Sequence, residues 1–490
     1  MQANHSARTA GGFNSTMRMR RGKLFPLIAI LVLSGLPLFA QQAAAPAVRQ
    51  FTVEEAVDYA LAHYPAVQAS LEQYNAARAG VSLARTNDLP DLNGVWQVDR
   101  GSRESVLGVL LPQSPNILTG TQGSVTPHAN RPFWTSGAGV LLSWEPFDFG
   151  YRRALVRSSL ATSQRTQEQV TLTRLGVASA VAEASLALLA DEQRVAVSQA
   201  DLDQRQVFAR SVHALVDARL RPGADASRAD AEVATARTRL ILAQRDEQVG
   251  SIALGQVLGL GGARVSIQPG PFLETPPDPA WVEAPASRNP AALVQQGRVT
   301  EEKARLSVLN HAWYPHFDTE ALLSGRGSQE QSTGKNGPAS SGLTFSADNW
   351  EAAVTAQMDL TGIFALRERK KIEAANWRQQ QQLYTQTLQN VTAQQQTALA
   401  DLDGARRVAQ NTPVELEASR QGEQQATARF KAGLGTSVDV AAAQDLLAQA
   451  ELDDSLARLS IWRALAELAA SNGDLTPFLN MAASTPAGGH

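Results

Sequence analysis

Four short stretches of the chain alternate apolar and polar residues with period two, the signature of a β-strand with one apolar face. In the first, Leu92, Trp96 and Val98 fall on one side of Asn93, Gln97 and Asp99. In the second, Val140, Leu142 and Trp144 oppose Ser143 and Glu145. The third sets Phe317, Thr319, Ala321 and Leu323 against His316, Asp318, Glu320 and Ser324. The fourth sets Trp350, Ala352, Val354, Ala356 and Met358 against Glu351, Thr355, Gln357 and Asp359. Each pair of strands is joined by a polar loop rich in Ser, Gly and Asn, Gly101 to Thr135 and then Gly327 to Ser346.

The rest reads as helix. Thr52 is a candidate N-cap for a short amphipathic helix, with Glu54 and Glu55 at the positive end of its dipole. Pro65 opens a second helix that runs to about Asn87. From Tyr151 to about Arg219 no strong breaker occurs, which predicts a helix of roughly 100 Å. "RLRPG" stops it, and helix resumes from Ala224 to about Leu258. A second very long helix is expected from Ile363 to Lys431, then "AGLGTS", then helix to Ser471. Its residues Tyr384, Leu388, Val391, Ala398, Leu402 and Ala405 keep a spacing near 3.5, with Gln395 in the same row, as in a coiled-coil seam. Pro413 predicts a kink or break, because proline inside a helix costs about 3 kcal/mol.

The order recurs. Pro290 follows Pro65 by 225 positions, and Pro315 follows Pro90 by the same 225. Such a period marks a duplicated half rather than a solenoid unit. The expected organisation is a signal peptide at 1–40 and a first repeat at 41–260, with strands at about 91–101 and 136–147 and a helical hairpin turning near 220–224. A Pro/Gly-rich connector fills 261–288. A second repeat follows at 289–473, with strands at about 315–326 and 349–360 and a hairpin turning near 431–436, and then a tail at 474–490. The signal rests on "MRMRRGK", the apolar run "LFPLIAILVLSGLPLF" and a cleavage site after Ala40. No other stretch reads as a transmembrane helix.

Four strands cannot close a barrel, and an open sheet edge cannot face lipid. If these strands cross an outer membrane, several copies must close one barrel together, two giving eight strands and three giving twelve. The other reading is an ordinary antiparallel sheet with one wet face.

Composition narrows the function. The formal net charge is −3 over 490 residues, with no basic excess to attract nucleic acid. There is no cysteine, hence no disulfide, thiolate metal site or thiol nucleophile. The seven histidines show no metal spacing, and "STGKNG" lacks the residues of a phosphate loop. No cofactor and no enzymatic activity are expected. The basic residues Arg152, Arg153, Arg157, Arg367, Arg369, Lys370 and Lys371 each follow a strand, where a solvated helix start or a lipid-headgroup role would suit them.

The segments "FTVEEAVDYALAHYPAVQAS", "PDLNGVW", "PHFDTEA", "WEPFDFGYRRALV" and "RFKAGLGTSVDVAAAQ" resemble, in this order, the TolC family of bacterial outer-membrane efflux and secretion channels. The resemblance covers about Phe51 to Leu475. It implies a mainly α protein with a membrane β part: a homotrimer whose long helices form an α-barrel in the periplasm, continuous with a shared twelve-strand barrel in the outer-membrane lipid. It implies passive conduction of solutes, with a periplasmic adaptor and an inner-membrane transporter docking at the far turns, around Pro222, Gly223, Gly433, Leu434 and Gly435. It matches Asp439 to a position whose carboxylate rings the closed entrance, a pore constriction. The alternative for Asp439 is a helix-start acid that favours the dipole. Ala442 and Gly435 stand where some members carry an acid and an arginine-like residue. At the turns, Gly433 suits a left-handed helix end, Thr436 or Ser437 can cap the next helix, and Gly223 plays the part of Gly433 in the first half, with Ser227 and Asp230 as a capping box. A periplasmic coiled-coil adaptor is the competing class, but that design has one helical hairpin rather than two.

Overall fold

The computed structural model describes residues 49–101, 133–278, 284–329 and 337–484. The expected signal peptide and nearly all of the first long loop lie outside these residues. The first half runs β1 (Arg49–Phe51), α1 (Val53–His63), α2 (Pro65–Thr86), β2 (Asp91–Gly101), β3 (Phe133–Phe147), α3 (Tyr151–Asp217) and α4 (Gly223–Val257). After β4 (Val265–Ile267) the order repeats as α5 (Pro290–His311), β5 (His316–Ser328), α6 (Ala339–Leu343), β6 (Ala347–Gln357), α7 (Gly362–Lys431) and α8 (Ser437–Asn472), closed by α9 (Thr476–Ser484).

Local chemistry sets the helix starts. Thr52 accepts the Glu55 N–H at 3.1 Å, while Glu55 accepts the Thr52 N–H at 2.9 Å, a complete capping box. Tyr64, held extended before Pro65, separates α1 from α2. In the second half Asn289 caps α5 by accepting from Ala291 N–H at 2.9 Å.

Strands β2, β3, β5 and β6 form one antiparallel sheet in that order. Leu92, Leu142, Ala321 and Ala352 lie in register, as do Gly94, Val140, Leu323 and Trp350. All four apolar rows therefore share one face, and that face is open to the surroundings: Trp96 is 73% and Trp350 79% exposed. The opposite face carries Asp318, Glu320, Glu351 and Thr355, and Glu320 is buried. Apolar side chains outside and polar ones inside reverse the usual arrangement. Among the described strands β2 pairs only with β3, and β6 only with β5, so these two are the edges of the sheet.

The segment expected as a second loop is partly ordered. Strand β5 extends to Ser328, and α6 packs on β3 and β5 on the apolar side. Glycine allows this approach: a Cβ on Gly327 would sit 2.1 Å from the Thr344 carbonyl oxygen, and one on Gly342 would sit 2.3 Å from that of Trp134. The Gly/Ser content reflects close packing as well as turns.

The helices pair as α3 with α4 and α7 with α8. Along α7 the expected seam is buried at Val391, Gln395, Ala398 and Leu402 and continues to Thr412 and Ser419. Gln395 donates to the Ala284 carbonyl at 2.9 Å and to Asn472 Oδ1 at 3.0 Å, which explains a polar residue there. Contrary to expectation, α7 is not broken at Pro413. The ring lies on the exposed side, where water can take the carbonyl bond left free, while packing on α8 holds both flanks.

Helix α3 contains a window apolar enough, by length and composition, to cross a membrane. Its residues Val177, Val181, Leu186, Leu188 and Leu189 instead fill the main core, beside Val57, Leu465 and Trp462. The connector and the tail also belong to this core. Strand β4 pairs in parallel with β1, and Phe272 meets Trp462 edge-on at 5.0 Å. Trp462 donates its indole N–H to Glu274 O at 2.9 Å, and α9 covers it with Phe478.

On α3, burial and then the charge of Glu247 push the carboxyl of Glu192 up to about 7. The folded state thus holds a proton that the unfolded chain, near 4.5, releases earlier. Stability is expected to fall as pH rises from about 4.5 to 7 and then to level off. Glu192→Gln should unfold at a higher temperature than the parent at pH 8 and at the same temperature at pH 4, read by circular dichroism.

Candidate functional site: the paired hairpin turns

The two helical hairpins end in turns built differently. In the second, Gly433 takes φ 77° and Leu434 N–H returns to Arg429 O at 2.8 Å. A glycine pays no Cβ penalty in that conformation. Thr436 then caps α8. Its hydroxyl accepts the Asp439 N–H at 3.2 Å and donates to Asp439 Oδ2 at 2.8 Å, and its own N–H reaches the same oxygen at 2.9 Å. These bonds, led by the backbone one, hold the Asp439 carboxyl below the usual range, with a further contribution from the Arg429 charge. Asp439 is therefore an exposed, ionised side chain at the turn, fixed by a capping box.

The first turn corrects the sequence reading. Its left-handed residue is Arg219, at φ 58°, with Leu220 N–H bonded to Leu215 O at 2.9 Å. Gly223 is the first residue of α4 and does not take a positive φ, because extended Pro222 already turns the chain. Ser227 lies inside α4, so no box forms with Asp230, which instead pairs with His213 at 2.8 Å.

The turns are joined side by side by contacts that span more than 200 residues of sequence. Arg221 donates to the carbonyls of Phe430 at 2.9 Å and Gly435 at 3.3 Å, with its guanidinium 4.5 Å from the centre of the Phe430 ring. Phe430 also meets Phe208 at 5.2 Å and packs among Ala209, Val212, Ala229 and Val440. Ser437 donates to Asp225 Oδ1 at 2.8 Å. Of the expected tip residues, Leu434 and Gly435 sit beside this clasp, and Leu434 is 75% exposed.

Further from the turns, Arg205 is buried at 2% exposure among three carboxylates: Asp201 at 2.7 Å, Glu232 at 2.9 Å and Asp445 at 2.7 Å. Arg239 adds a bond to Asp445 at 3.0 Å. One guanidinium thus ties α3, α4 and α8 together. None of these partners is near Arg205 in sequence except Asp201, one helical turn away, so only an i,i+4 pair was visible beforehand.

Other candidate chemistry disperses. His316 pairs with Glu145 at 2.7 Å and His311 with Ser307 O at 2.8 Å. Among the described residues no cluster of potential ligands could hold a metal ion. Arg152 is not a solvated helix start. It is buried, bonded to Asp148 at 3.1 Å, to the Asn87 carbonyl at 3.0 Å and to the Glu145 carbonyl, and so staples α2 to the end of β3.

An inside-out sheet joined to long paired helices in a duplicated chain defines the outer-membrane channel fold. Solved structures agree. The Vibrio cholerae outer membrane protein VceC superposes with a TM-score of 0.69 at 15% identity, over 86% of this chain and 96% of that one. The Campylobacter jejuni CmeC outer membrane channel gives 0.69 at 13% identity, over 88% and 89%. The outer membrane efflux protein model matches residues 56–260 and 281–474, and the chain belongs to that family. The pyoverdine export outer membrane protein OpmQ of Pseudomonas aeruginosa is 22% identical over 407 residues, 81% of each chain. The protein is accordingly an outer-membrane efflux channel of the TolC type, with its helical part in the periplasm, and belongs to a family of channels rather than enzymes.

Removing Arg205 should loosen the hairpin clasp. Arg205→Ala leaves buried Asp201 with only the longer 3.8 Å pair to Arg239, and losing one partner of a buried pair costs about 3–5 kcal/mol. Amide exchange near residues 201–215 and 440–450 is expected to quicken by at least tenfold, with little change around Trp462.

Proposed function

We propose that three copies of this chain close one twelve-strand barrel in the outer-membrane lipid, and that their helices form a single periplasmic tube through which solutes leave passively. The observation that carries this reading is the four-stranded sheet with an apolar outer face and unpaired edges on β2 and β6. In lipid, each unpaired backbone group costs several kcal/mol, so the edges require partners. Two copies would give eight strands, whose interior side chains fill, whereas twelve leave a wider lumen. Helices of 67 and 70 residues then reach roughly 100 Å from the barrel.

The turns at the far end, including Pro222, Gly223, Gly433, Leu434 and Gly435, are the surface offered to a periplasmic adaptor and an inner-membrane transporter. Family members work with such partners, and exposed Leu434 suits an apolar contact. Asp439 of each copy contributes to a ring of carboxylates at the entrance. Its low pKa keeps it charged across the physiological range, and such rings favour cations.

Native mass spectrometry of the detergent-purified protein should give a mass of three chains; a monomer soluble without detergent overturns the reading. In planar bilayers, Asp439→Asn should lower cation preference several-fold. An unchanged preference reduces Asp439 to its capping role.

A further inference from the structure

Inside one chain, the join where β3 passes into α3 and α5 passes into β5 is closed by aromatic rings. Phe149 stacks on Tyr314 at 4.9 Å and lies 4.6 Å from Phe147 and 6.1 Å from Phe317. The join lies just below the sheet, with Phe147 and Phe149 still 57% and 36% exposed. The duplication contains a second pair of segments of the same kind, β6 passing into α7 and α2 passing into β2. They lie at opposite edges of the sheet and cannot meet within one chain.

The repeat spacing identifies the counterparts. Tyr314 and Phe317 follow Leu89 and Leu92 by 225 positions, as Pro315 follows Pro90. Asp148 and Asp359, 211 apart, do the same work at the two helix starts: Asp148 accepts from Gly150 N–H at 3.1 Å and Asp359 from Thr361 N–H at 3.2 Å. Leu360 is therefore the counterpart of Phe149, Leu89 that of Tyr314, and Leu92 that of Phe317. In the single chain these three leucines are 75%, 64% and 68% exposed, while Tyr314 and Phe317 are partly covered.

We propose that Leu360 of one copy packs against Leu89 and Leu92 of the next copy, an aliphatic version between chains of the aromatic join within the chain. The proposal rests on the shared wall proposed above. If β6 pairs with β2 of the next copy as β3 pairs with β5, the chain directions bring the end of β6 beside the start of β2. The spacing of 211 holds below the irregularity between Trp144 and Phe147 of β3; β6 has no such irregularity against β5, so above it the spacing is 210 and the counterpart of the Trp144–Thr319 pair sets Val354 opposite Gly94, with the apolar faces continuous. Leu360 follows directly below, at the height of Leu89. Phe364, one helical turn along α7, and Leu83, near the end of α2, extend the two exposed borders in the same direction. Burying three leucines at each join would close the wall where strand hydrogen bonding stops and helix packing has not begun. The other occupant of these leucines is lipid, which would leave each join open to the acyl chains.

The chain has no cysteine, so introduced thiols report single contacts. Full-length protein carrying Leu360→Cys with Leu89→Cys, in outer membranes treated with copper phenanthroline, is expected to run on non-reducing gels as bands of two and three chain masses. Val354→Cys with Gly94→Cys tests the wall itself. All four positions are exposed, so the folded chain does not depend on them, and the reduced lanes measure the amount of protein in the membrane. Bands from both pairs support the join, and bands from the Leu360 pair alone support the join and reject the register. Bands only from the Val354 pair overturn the join, give the leucines to lipid and leave the shared wall standing. Bands from neither pair, with normal membrane levels, overturn both.

Discussion

A backbone amide in hydrocarbon has no water to bond, and this constraint governs the whole molecule. The sheet satisfies it internally at three strand pairs, and among the described strands β2 and β6 form the two edges. The exposed tryptophans and most large apolar residues of the sheet share the outer face, and Asp318, Glu320 and Glu351 lie on the inner one, so the sheet resembles a section of wall rather than a core layer. The helical part obeys the opposite condition. The long helices bury only narrow seams, with Ala, Ser, Thr and Gln where a thick core would hold Leu.

Between these two environments the chain builds one conventional core. It is assembled from α1, α3, α4 and α8 and completed by the connector and α9, which place Phe272 and Phe478 around Trp462. This is the point where the two halves cross-brace. Towards the free turns, apolar burial thins and charged contacts take over: first the Arg205 cluster, then the Arg221–Phe430 clasp. Such contacts are directional and depend on each partner, unlike packing. The two hairpins are thus held together at their free ends by a few side chains.

Much of this was legible in the chain. The strands, the hairpins, the duplication and the Thr52 and Thr436 caps follow from residues a few positions apart. Misreadings arose where distant contacts decide conformation. Gly223 looked like the partner of Gly433, but Pro222 and Arg219 make that turn. Pro413 looked like a break, but α8 holds the helix through it. The Gly/Ser run near Gly342 looked like a loop, but its small residues allow α6 to lie against β3.

Periodicity by itself determined which residues share a face, because a strand or helix repeats its geometry every two or 3.6 residues whatever surrounds it. It therefore gave the four alternating strands, the long helices and the recurrence of their order. Only the tertiary structure decided that the apolar strand face is the outer one, that Arg205 and Arg221 join hairpins more than 200 residues apart, and that Arg152 is a buried staple. Those outcomes depend on which surfaces meet, and a contact between remote segments leaves no local pattern to read.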